Sequence, residues 1–185
     1  MIATARDARV PWRAGVIPED DAARGLHSVS IAVRDPSKTL ELMTSLLGYA
    51  VVDETKGRIR TAVRGDAPGR TIDIVHDANA ESAVNGLGTV HHVAMATASE
   101  DEQLRLREEL IDFGCKVTEV RDRCYFKSIY FREPGGVLFE VATIEPGFTA
   151  DEDLPALGRE LKLPPWEEPH RADIEQTLAR IVVSR

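Results

Sequence analysis

From Gly25 onward the chain runs one programme of elements twice, and an internal repeat of this kind leaves few folds open. In the first pass, Leu26-His27-Ser28-Val29-Ser30-Ile31-Ala32-Val33 alternates and predicts a strand. Asp35-Pro36 gives a helix start, with proline at a first-turn position. The helix predicted over 37–47 puts Leu40, Met43, Leu46 and Leu47 on one face, and Gly48 stops it. Strands are predicted at 49–54, 57–64 and 70–76. In the second pass, 90–96 reads as a strand and 100–113 as a helix with Leu104, Leu106, Leu110 and Ile111 apolar. Gly114 stops this helix as Gly48 stops the first, and strands are predicted at 116–120, 124–132 and 136–143. Leu26-His27-Ser28-Val29 superposes on Val90-His91-His92-Val93, and Ile72-Asp73-Ile74-Val75 on Phe139-Glu140-Val141-Ala142, with a one-residue gap.

Each half is therefore β-α-β-β-β. The expected fold class is α+β: two tandem βαβββ modules, about 25–77 and 88–145, forming a curved, partly open eight-stranded sheet around a cleft. Residues 1–24, with Pro11, Trp12, Pro18 and the run Glu19-Asp20-Asp21, read as a leader or linker. Residues 146–185 read as a helical extension, with helices at 151–161 and 171–181 around the rigid stretch Lys162-Leu163-Pro164-Pro165-Trp166.

Charge narrows the partners. The net charge is −8 with no long basic run, so neither nucleic acid nor an anionic membrane surface is an expected partner. No stretch reaches the roughly 20 apolar residues of a membrane span, and the first residues lack a secretory apolar region. Cys115 and Cys124 fit neither a disulfide framework nor a Cys-x-x-Cys site, so reduced thiols in a cytoplasmic protein are expected.

Strand alternation then singles out two residues. Val93 and Met95 share one face, and His92, Ala94 and Ala96 the other. In the last strand, Phe139 and Val141 oppose Leu138, Glu140 and Ala142. His92 and Glu140 thus fall on faces otherwise made of small or apolar groups, where a carboxylate is costly unless something pairs with it. A packed histidine, and an arginine partner for Glu140 such as Arg123 or Arg132, would satisfy each residue singly. The repeat places both at matched positions of one cleft, and a shared divalent metal satisfies them together. Imidazole with carboxylate suits iron, manganese or zinc.

Gly88-Thr89-Val90-His91-His92-Val93-Ala94, the block from Arg121-Asp122-Arg123 to Tyr130-Phe131-Arg132-Glu133-Pro134-Gly135-Gly136-Val137-Leu138-Phe139-Glu140, and the tail from Pro146-Gly147-Phe148 to Pro169-His170-Arg171 resemble the glyoxalase/bleomycin-resistance/dioxygenase (vicinal-oxygen-chelate) superfamily, in particular the hydroquinone-type ring-cleaving dioxygenases. The resemblance implies an Fe(II)-dependent extradiol-type cleavage of hydroquinone- or catechol-like aromatics by O₂. It implies His92 and Glu140 as two of three iron ligands, Tyr130 as an acid/base or substrate-oxygen contact, Arg123 as a group steadying anionic substrate, and His91 as the ligand's neighbour. By alternation His91 should face away from the cleft. Mn, Zn, Ni or Co would serve related chemistry.

One departure accompanies the match. In that family the chain is about twice this length, and the third ligand, a histidine, comes from a preceding domain. Here the position equivalent to His92 is Ser28, and His27 should point to the opposite face unless a bulge turns it. The chain is then expected to work with a separate N-terminal half, to complete its site as a homodimer, or to be an incomplete relic. The rival functions are a metal-dependent glyoxalase-type isomerase or lyase, and a non-catalytic small-molecule-binding module. Gly86-Leu87-Gly88 lacks nucleotide-loop spacing, His76 and His170 are expected to be solvated, and Asp73 is expected to be a surface or cleft-edge acid.

Overall fold

The structure is a computed structural model that describes residues 7–11, 13, 16–82, 84 and 86–179. The first module consists of β1 (Ser28–Val33), α1 (Ser37–Ser45), β2 (Tyr49–Thr55), β3 (Arg58–Val63) and β4 (Thr71–His76). The second consists of β5 (Val93–Thr97), α2 (Glu100–Asp112), β6 (Arg121–Asp122), β7 (Lys127–Arg132) and β8 (Leu138–Thr143). The eight strands divide into two four-stranded open sheets, ordered β1-β4-β3-β2 and β5-β8-β7-β6. In each sheet the first strand pairs in parallel with the fourth, and the remaining pairs are antiparallel.

Local chemistry accounts for the helix ends. Ser99 caps α2 by accepting the Glu102 N–H at 3.2 Å, and Glu100, Asp101 and Glu102 place negative charge at its N-terminus. Glu102 reaches back to accept from Ala98 N–H at 3.0 Å and the Thr97 hydroxyl at 2.9 Å. Beyond α1 and α2 the chain turns through Gly48 and Gly114 at φ 71° and 102°, conformations that disfavour any residue with a Cβ.

The inward parity of the strands is the expected one, whereas on the helices Leu42 is buried beside Met43, and Leu104 and Ile111 are exposed while Leu110 is buried. Ile31, Val33, Leu42, Met43, Ile72 and Ile74 of the first module share one core cluster with Leu110, Ile129, Phe131, Phe139 and Val141 of the second. Burial of side chains this size stabilises by about 1.5–3 kcal/mol each before entropy is charged against it. The modules also meet at the β7–β8 turn. There Glu133 accepts from Thr39 Oγ1 of α1 at 2.5 Å and from the N–H groups of Gly135 and Val137 at 2.8 Å each.

Some elements differ from expectation. The strand predicted at 116–120 is reduced to a bridge between Val117 and Phe131, with the short β6 after it. Thr118 interrupts the ladder, because its hydroxyl, not its carbonyl, takes the Tyr130 N–H at 3.1 Å. The helix predicted over 151–161 is replaced by short 3-10 turns at Phe148–Ala150 and Leu154–Ala156. Pro155 removes a donor there, and Gly158 takes φ 76°. The last helix, α3, covers Arg171–Thr177, and the predicted end at Ile181 lies outside the described residues. In the leader, Arg9 donates to Leu26 O at 2.8 Å, while Trp12 lies outside the described residues. Among the described residues no helix is long and apolar enough to cross a membrane.

Candidate metal centre

His92 immediately precedes β5, and Glu140 sits in β8, the parallel neighbour of β5. With Phe139 and Val141 packed in the core, Glu140 points to the open face of the sheet, yet it is only 3% exposed. His92 Nε2 lies 2.7 Å from Glu140 Oε2. The other carboxylate oxygen accepts two hydroxyls from β7, Tyr130 at 2.8 Å and Ser128. Tyr130 is the direct antiparallel partner of Glu140, and Ser128 lies two residues away on the same face. A buried carboxylate is thus held by one imidazole and two neutral hydroxyls, with no arginine or lysine paired to it among the described residues.

The remaining candidates gather around this carboxylate. His91 does not turn away from its neighbour. Its Nδ1 lies 2.8 Å from His92 Nδ1, and the two rings meet edge to face with centroids 5.1 Å apart. Alternation fails here because the regular β5–β8 ladder begins only at Val93. The His92 ring also meets the Tyr130 ring edge to face at 5.9 Å. The Arg123 guanidinium carbon sits 5.4 Å from the Tyr130 ring centre, within cation–π range. Arg132, the other suggested partner of Glu140, donates instead to Gly136 O at 2.7 Å.

The chain after β8 braces the Arg123 loop. Phe148 packs on Tyr125 with centroids 5.0 Å apart, Gly147 N–H donates to Tyr125 O at 2.8 Å, and the Tyr125 hydroxyl donates to Asp151 at 2.9 Å. The tail therefore helps set where Arg123 stands over Tyr130.

His27 is not brought to this centre. Its Nδ1 lies 3.2 Å from Ser28 Oγ in its own module. Among the described residues no three His, Cys, Asp or Glu side chains gather to hold a metal. The donor chemistry fits a divalent ion at two points, one imidazole nitrogen and one carboxylate oxygen on adjacent strands, and falls short of a full set.

Sequence reasoning did not assign Ser128 a role. Its parity with Tyr130 was the available signal, since two residues along a strand share a face. It also misplaced Asp73, which is wholly buried rather than a surface or cleft-edge acid. Arg60 grips it through Nε at 2.7 Å and Nη2 at 3.0 Å, and Arg58 adds a further ion pair.

Residues 25–141 match the Glyoxalase/Bleomycin resistance protein/Dioxygenase superfamily. The chain belongs to this superfamily. It is 40% identical over 177 residues to a Bacillus subtilis (strain 168) protein named "Putative ring-cleaving dioxygenase MhqE", covering 96% of this chain and 57% of that one. It is 30% identical over 171 residues to the chlorohydroquinone/hydroquinone 1,2-dioxygenase of Sphingobium indicum, covering 91% of this chain and 53% of that one. A crystal structure of a "putative dioxygenase" from Bacillus subtilis superposes with a TM-score of 0.88 at 36% identity, covering 95% of this chain and 57% of that chain. This superfamily member therefore spans little more than half the length of the relatives it matches.

Proposed function

We propose that this chain carries the metal-binding portion of an Fe(II)-dependent ring-cleaving dioxygenase acting on hydroquinone- or catechol-like aromatics. One observation carries the reading: His92 Nε2 and Glu140 Oε2 converge to 2.7 Å on a face that also carries Tyr130, Ser128 and the small residues Ala94, Ala96 and Ala142. The names borne by the relatives support the substrate class. Fe(II) held there would supply the redox chemistry with O₂ that opens the ring. A third protein ligand would come from outside this set of residues, supplied by a separate N-terminal half or by a second copy in a homodimer.

The chain's own residues then have distinct tasks. Glu140 would hold the ion through Oε2, while Tyr130 and Ser128 hold Oε1 and so fix the carboxylate plane. His92 would bind through Nε2, which would leave its ring proton on Nδ1, facing His91 Nδ1 at 2.8 Å. Tyr130, beside both ligands, donates its hydroxyl proton to Glu140 Oε1 and keeps its oxygen free to accept a hydrogen bond from a substrate hydroxyl. Arg123, over the Tyr130 ring, stabilises negative charge on substrate oxygens as the ring opens.

Oxygen consumption tests this reading. The protein, loaded anaerobically with Fe(II), is given a substituted hydroquinone and O₂, alone and together with a separately produced N-terminal half of the Bacillus subtilis relative. Uptake in either case that disappears in His92→Ala and Glu140→Gln supports it. Turnover under strict anaerobiosis would instead indicate an isomerase or lyase. Stoichiometric binding without turnover in both cases would indicate a sequestering module.

A further inference from the structure

The two modules carry carboxylates at one register position, with opposite electrostatic settings. Asp73 pairs with Ser30 of β1 as Glu140 pairs with Ala94 of β5. Across the antiparallel neighbour, Arg60 faces Asp73 where Tyr130 faces Glu140. One step along, Arg58 occupies the place of Ser128, since Arg58 pairs with Val75 and Ser128 with Ala142. Ser28 stands at the place of His92.

The second module thus surrounds its carboxylate with neutral hydroxyls and an imidazole, which leaves a negative site suited to a cation. The first surrounds its carboxylate with two guanidinium groups, so the one buried carboxylate is shared between two cations, with the exposed Asp53 opposite Arg60. Asp73 is wholly buried, whereas the Arg58 and Arg60 side chains remain 47% and 36% exposed. Asp73 uses only part of the donor capacity of the two forks: one nitrogen of Arg58, and Nε and Nη2 of Arg60. Beside them the open face is made of small residues: Ser30 and Ala32 of β1 are exposed and Val75 is half-buried. Asp53, opposite Arg60 on β2, is exposed and forms no ion pair with it among the described residues, although its charge still acts on Arg60.

We propose that the open face of the first module is an anion-binding site, in which Arg58 and Arg60, oriented by Asp73, receive a small carboxylate through the free edges of their guanidinium groups. Planar guanidinium and planar carboxylate match in two-point geometry, and Asp73 fixes the donors before the ligand arrives. The small residues of β1 leave room for the body of the carboxylic acid beside the charged pair. This site is separate from the His92–Glu140 centre and needs no metal.

Benzoate, titrated into the metal-free full chain by calorimetry and followed by the arginine Nε–H resonances, is the probe, with inorganic phosphate in a parallel arm. The expected result is saturable benzoate binding that weakens with salt and loses roughly tenfold or more in affinity in Arg58→Gln. Arg58→Gln leaves the two-point Arg60–Asp73 contact in place, so the fold should persist, and circular dichroism checks that it does. Arg58→Lys, which keeps the charge without the fork, should recover only part of the affinity. Glu140→Gln should bind benzoate as the wild type does, which separates this proposal from the metal reading. Phosphate binding in place of benzoate, no saturation with either anion, or binding undiminished in folded Arg58→Gln would overturn it.

Discussion

Thr39 of the first module donates its hydroxyl to Glu133 of the second at 2.5 Å, and both side chains are buried. The bond joins a helix to the turn that launches β8, the strand carrying Glu140. Glu133 also holds the two N–H groups that shape this turn. Glu133→Ala strands one buried hydroxyl and two partly buried N–H groups and should destabilise the chain by about 2–3 kcal/mol, against about 1–2 kcal/mol for Thr39→Val. Urea unfolding measures both. Equal losses would show that the contact between modules outweighs the shaping of the turn.

Gly135 lies at the same junction. A Cβ there would sit 2.3 Å from Val33 Cγ1 and 2.8 Å from Glu133 Oε1. Gly135→Ala should cost about 1–3 kcal/mol by overpacking, and Val33→Ala in the same chain should recover part of that cost. Thermal melts of the single and double variants check the coupling.

Asp73 should govern part of the acid stability. The hydrogen bonds from Arg60, and then from Arg58, hold its carboxyl down at about 2, against burial, which pushes it up. A folded value below the unfolded one near 3.8 gives stability that is complete above that value and lost as the pH falls toward 2. Asp73→Asn should lower stability at neutral pH by on the order of 2 kcal/mol and flatten the decline between pH ~4 and ~2. Unfolding free energies across that range measure the effect.

His91 should matter to metal affinity through His92. Its Nδ1 is the group that faces His92 Nδ1. His91→Phe removes it while keeping a ring of similar bulk. Affinity for Mn(II), read from the paramagnetic signal of the free ion, should fall about tenfold or more. Asparagine at this position should restore part of it, because its amide oxygen can accept the same proton.

Much of this architecture is legible in the residues because the repeat and the alternation constrain each other. On the strands the inward residues Ile31, Val33, Phe139 and Val141 follow from alternation, and alternation taken with the repeat brings His92 and Glu140 together. The failures share a physical cause. Parity says where a side chain points within a ladder, so it misreads His91, which precedes the ladder, and Thr118, whose hydroxyl replaces a backbone partner. Asp73 was misread for want of its cross-strand partners. Arg58 and Arg60 lie on a neighbouring strand, and the register that brings them over Asp73 is a tertiary fact. The helix expected at 151–161 was defeated by Pro155 and Gly158, two residues plainly visible in the chain.

The parallel pairing of β5 with β8 has a temporal consequence. The imidazole belongs to the opening of its module and the carboxylate to its closing strand, so neither has its neighbour until the chain through β8 has been made and the long loop between them has closed. A half-made module on the ribosome would offer no two-point grip on an ion. Metal capture by this protein would accordingly mark completion of the module and would not serve as the seed around which it assembles.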